Sequence, residues 1–89
     1  MRADLLRMPR FFLHIADGDS VTRDIEGAEF LDIDAARDEA NASAVDLVVE
    51  HLRSGLGLGL HRSIRITDET GTILEEVLFA NAIVPVPRT

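Results

Sequence analysis

Three histidines, two aspartate pairs and one glycine-rich run are the parts of this 89-residue chain with the means to do chemistry. His14, His51 and His61 lie far apart, and none stands in a His-x-x-x-His or His-Glu spacing, so no local metal site is encoded. Asp17 and Asp19 fit the first and third positions of a calcium loop. The fifth position is then Val21, the turn glycine is Thr22 and the bidentate glutamate is Ala28, so the loop fails. Asp32 and Asp34 could pair as carboxylates, but they precede a helical pattern and fit the role of caps better. Gly55-Leu56-Gly57-Leu58-Gly59 follows a helix rather than a strand, and no lysine stands after it, so it reads as a connection rather than a phosphate loop. His14 has neither a nucleophile nor a second base in a recognisable spacing, and a cross-strand hydrogen bond is its expected use. No catalytic residue, cofactor or metal is expected.

The elements that would position these residues read clearly from hydrophobic periodicity. Phe11, Leu13 and Ile15 alternate with Phe12 and His14, the pattern of a strand with one buried face. An odd, three-residue turn Ala16-Asp17-Gly18 is expected, because it sets Val21, Arg23 and Ile25 on the core face beside Phe11, Leu13 and Ile15. Gly27 then ends the second strand. A helix follows from near Ile33 to near Ser54, opened by Asp32 or Asp34, with Ala36, Ala40, Ala44, Leu47 and Val48 inward and Gly55 as its stop. Ser63 to Thr67 and Ile73 to Phe79 read as third and fourth strands joined by an Asp68-Glu69-Thr70-Gly71 turn. The fold class is α+β: a two-layer ββαββ sandwich, with an antiparallel four-stranded sheet carrying one long helix on one face. Residues 8–82 form the domain, residues 1–7 a flexible N-terminal extension and residues 83–89 a C-terminal tail interrupted by Pro85 and Pro87.

Composition narrows the function classes. The chain has no cysteine, which excludes disulfide staples and thiolate metal sites and suits a cytoplasmic location. A net charge of −7 disfavours non-specific nucleic-acid binding. Pro9, Arg10 and His14 interrupt the only N-terminal apolar run, so it fails as a secretory signal, and no run approaches a membrane span.

Met8, Pro9, Arg10, Phe11, Phe12 and His14 are followed by Asp17-Gly18, Asp24, Gly27, a helix start at Ala35-Ala36-Arg37, and then Asp68, Gly71 and Phe79. In this order they resemble a family of short, uncharacterised bacterial proteins common in rhizobia and their relatives. The resemblance implies a compact ββαββ domain and brings no activity or site residue with it. Residues 1–7 precede the family's usual opening, and the glycine run is richer in leucine.

Two surfaces remain as candidates for interaction. The outer sheet face carries Phe12, His14, Thr22, Asp24 and Arg65, with Thr67 nearby; the helix carries Val45, Val49 and Leu52 beyond its inward stripe. The expected function is a non-enzymatic interaction domain that forms a homodimer or binds another protein. The alternative is a regulatory, antitoxin-like module associated with nucleic acid, disfavoured because Phe12 alone offers a stacking platform on the outer face.

Overall fold

A computed structural model describes residues 8–83. In chain order it contains β1 (Arg10–Asp17), β2 (Ser20–Thr22), β3 (Ala28–Glu29), α1 (Ile33–Arg53), β4 (Ser63–Thr67), β5 (Ile73–Leu78) and α2 (Phe79–Ile83). All strand pairings are antiparallel. The order across the sheet is β2-β1-β4-β5, with β3 sharing the β2 edge of β1. This is the expected two-layer α+β architecture, with the second strand split in two. Residues 1–7 and the tail from 84 onward lie outside the described residues.

The main helix forms as its sequence dictates. Asp32 caps it by accepting the Ala35 N–H at 2.9 Å, and Ala36, Ala40, Ala44 and Val48 form its buried stripe. At the other end Gly55, at φ 79°, supplies the left-handed turn, with Leu56 N–H bonded to His51 C=O and Gly55 N–H to Leu52 C=O. Small alanine side chains let α1 settle across β4 and β5, over a core of Phe11, Ile64, Ile66, Val77 and Phe79. Leu13, Ile15 and Leu47 border that core and are partly buried.

Three expectations are corrected. The first concerns the turn after β1: Asp17 pairs with Ser20 and Ile15 with Thr22, so the loop is the two-residue Gly18-Asp19. Gly18, at φ 62°, takes the first central position, where a tight hairpin needs positive φ. Second, this even register turns Val21 to the outer face and Thr22 to the helix side, and leaves Arg23 and Ile25 exposed. Burying Val21 and Ile25 would favour the opposite parity, but α1 packs on β4 and β5 and does not reach the β2 edge, so no core rewards that arrangement. Third, β5 stops at Leu78, and Phe79 opens a short helix that packs beside α1 and reaches Ile83. Phe79 still points inward, fully buried.

Candidate functional site

The outer face of the sheet gathers most of the polar residues singled out above. Cα pairing sets Phe12 opposite Thr67, His14 opposite Arg65, and Arg65 opposite Glu76. Phe12 and His14 lie parallel along β1, ring centroids 6.3 Å apart. Thr22 does not join them, since it pairs with Ile15 and points the other way. Arg23, expected on the core side, instead lines shallow grooves on this face with His14 and Thr67, of about 240 and 280 Å³.

Asp24 organises the edge of this face. Between β2 and β3 the chain leaves the ladder, and the Asp24 carboxylate replaces the missing strand. Its Oδ2 accepts the Leu13 N–H at 3.1 Å and its Oδ1 the Gly27 N–H at 3.0 Å. Burial opposes ionisation of this carboxyl, but the N–H groups of Leu13, Gly27 and Glu26 outweigh it and hold the pKa below its ordinary value. The Asp24 N–H in turn donates to His14 Nδ1 at 3.0 Å. A ring nitrogen that accepts carries no proton, so the neutral ring has its proton on Nε2, which donates to Thr67 Oγ1 at 3.1 Å. Gly27, at φ 67°, is required here, because a Cβ would stand 2.7 Å from the Phe12 ring and 2.8 Å from the Phe11 carbonyl oxygen.

Arg65, Glu76 and Asp68 are also engaged. Glu76 accepts from the Ser63 hydroxyl at 2.5 Å and from Arg65 at 3.5 Å, and these donors, the hydroxyl foremost, lower its pKa. Asp68 holds its turn by accepting the Thr70 hydroxyl at 2.6 Å and the N–H groups of Thr70 and Thr72. The histidines are not brought together: His51 bonds the Gly57 carbonyl and His61 bonds Asp17. Among the described residues no group of three or more His, Cys, Asp or Glu is placed to hold a metal ion.

The second candidate surface stands on α1. Val45, Val49 and Leu52 are 38%, 42% and 54% exposed, a solvent-side stripe separate from the buried alanines. Leu56 and Leu58, just past the helix, are exposed as well.

Two arginines were not anticipated from the sequence. Arg62 is buried, donating to the Gly59 and Leu47 carbonyls while its guanidinium stacks 4.7 Å from the Phe79 ring centre. Arg37 grips both oxygens of Glu75 and also Asp34, tying α1 to β5; these hydrogen bonds raise the arginine pKa and lower that of Glu75. The Arg37–Asp34 pair has the ordinary i,i+3 spacing of a helix, but the contacts of Arg37 with Glu75 and of Arg62 with Leu47 and Phe79 leave no signal in sequence spacing.

One family model, described as a domain of unknown function (DUF6894), matches residues 10–80. No curated protein and no solved structure matches the chain.

Proposed function

The chain belongs to the DUF6894 family, and we propose that it is a small, non-catalytic cytoplasmic interaction module that pairs with a second copy of itself or with another protein through the solvent face of α1. The observation that carries this reading is the exposed Val45, Val49 and Leu52 stripe on a helix whose opposite face is already satisfied by the sheet. Exposed apolar residues in a continuous row, rather than scattered singly, are the usual mark of a contact surface.

The outer sheet face supports a non-catalytic reading. Both ring nitrogens of His14 and both oxygens of Asp24 are committed to holding β1, the residues 23–27 excursion and β4 together. Charge favours a protein partner over nucleic acid there: Arg65 is neutralised by Glu76, while Asp24, Asp68 and Glu69 rim the groove beside Arg23. No helix among the described residues is long and apolar enough to cross a membrane. The absence of cysteine suits a reducing compartment.

Sedimentation equilibrium of the full chain tests the proposal. A dimer in the micromolar range is expected for the wild type, with Val49→Glu shifting it to monomer while circular dichroism keeps the same helix content. A wild-type monomer throughout that range rejects self-association and directs the search to a different protein.

A further inference from the structure

We infer that the helix-side face of β1 and β2, left open beside α1, is a groove for a short basic amphipathic helix of another protein. This surface is separate from the Val45, Val49 and Leu52 stripe and does not depend on the self-association tested above. A helix about 10 Å across covers roughly two strands spaced ~4.8 Å apart. α1 lies over β4 and β5, and the sheet continues past it to β1 and β2, so a width close to that of one further helix stays uncovered. The floor there is apolar. Leu13 and Ile15 of β1 and Leu47 of α1 are only half-buried, and with Ser43, Asp46, Glu50 and Ile64 they line a groove of about 390 Å³. Thr22, paired with Ile15, extends that floor toward the sheet edge.

The wall of the groove is acidic. Glu39, Ser43, Asp46 and Glu50 follow one another at four, three and four residues, which sets them on one flank of α1, between its buried alanines and its exposed valines. Glu39 accepts the Ser43 hydroxyl at 3.3 Å. All three carboxylates are exposed, and none forms an ion pair among the described residues. On the other flank, by contrast, Asp34 and the facing Glu75 are both met by Arg37. An apolar floor beside a row of unpaired carboxylates fits apolar side chains at helical spacing, with lysines or arginines along the edge that meets α1. From Glu39 to Glu50 the row spans about 16 Å, so three turns of a bound helix suffice. The α1 helix of a second copy is the wrong occupant. It carries Asp34, Asp38, Glu39, Asp46 and Glu50 against Arg37 and Arg53, and would set like charge beside like charge.

The probe is a peptide of about a dozen leucines and lysines with leucine at i, i+3, i+4 and i+7, titrated into the isotope-labelled full chain and followed by amide NMR. The resonances of Leu13, Ile15, Thr22 and Ser43 should shift. Exchanging every lysine of the peptide for glutamate should abolish binding. Asp46→Lys combined with Glu50→Lys, both at exposed positions, should weaken the lysine peptide by about tenfold, and Val49→Ser on the separate stripe should leave it unchanged. Equal binding of the two peptides, shifts centred on Val45, Val49 and Leu52 or on the outer sheet face, or no binding up to about 1 mM each overturn the inference. Two further outcomes overturn the choice of an outside partner. Movement of the Leu13 and Ile15 resonances as the chain alone is concentrated would put a second copy in the groove. Their movement in a Leu5→Ser, Leu6→Ser variant would put residues 1–7 there.

Discussion

The two hairpins of this sheet are held in register by different forces. In the β4–β5 hairpin, Ile64, Ile66 and Val77 lie buried under α1, and any slip would turn them to solvent. In the hairpin formed by β1 with β2 and β3, the outer strands are exposed along their length, and Val21 and Ile25 lie 44% and 84% exposed. There the register is set by Gly18 in the turn and by the Asp24 carboxylate bonded to Leu13 and Gly27. Hydrophobic parity therefore governs a strand only where a second layer covers it. Beyond the reach of the helix, backbone geometry and side-chain to backbone hydrogen bonds decide.

The largest expected effect lies on the covered side. Phe79→Ala removes a fully buried ring and the surface on which Arg62 stacks, and should cost about 3–5 kcal/mol in urea unfolding. That is comparable to the whole margin of a chain this short. On the uncovered side Gly27→Ala should cost about 1–3 kcal/mol, because it strains a positive φ and drives a methyl group into Phe12 and the Phe11 carbonyl. A cost near zero would mean that residues 23–27 do not hold this shape.

Asp24→Asn separates the charge from the shape and should lose about 1 kcal/mol near neutral pH. The sign of the pH dependence follows from its lowered pKa. The stabilisation is present above the ordinary value of 3.8 and is lost as pH falls through the lower folded value. The variant should thus show a flatter decline of stability below about pH 4 than the wild type. Parallel acid limbs in the two proteins would remove Asp24 from its role as register lock. The smallest effect belongs to Ile25→Ser, which should change stability by no more than about 0.5 kcal/mol despite removing a large apolar side chain. A loss of several times that would show that the uncovered hairpin is buried after all, against another molecule.

The same contrast explains what the sequence made legible. The helix from Ile33, β4 and the inward Ile64, Ile66 and Val77 follow from periodicity, because burial on one face imposes the period that the residues display. The alternation in β1 also placed His14 and Phe12 on the outer face, with Thr67 and Arg65 across from them. Thr22 and Arg23 were misplaced because parity was extended to strands that no layer covers. Asp24 was named as a neighbour of His14, but its bonds to the Leu13 and Gly27 backbone depend on a local excursion that leaves no periodic trace. Arg62 and Arg37 were missed for a related reason: their distant partners, Leu47 and Phe79 for Arg62 and Glu75 for Arg37, are brought close only by the finished fold.

The placement of β1 between β2 and β4 also bears on how the chain reaches this state. Each hairpin and the helix are local, closing loops of a few to some twenty residues, whereas the central seam joins Phe12 to Thr67 and Ala16 to Ser63 across most of the domain. Loop-closure entropy opposes that seam until the helix is packed, and neither hairpin alone has a two-sided core to persist on. The meeting of β1 with β4 is thus the most non-local step, and topology predicts that the speed of folding depends on the middle of the sheet rather than on its edges.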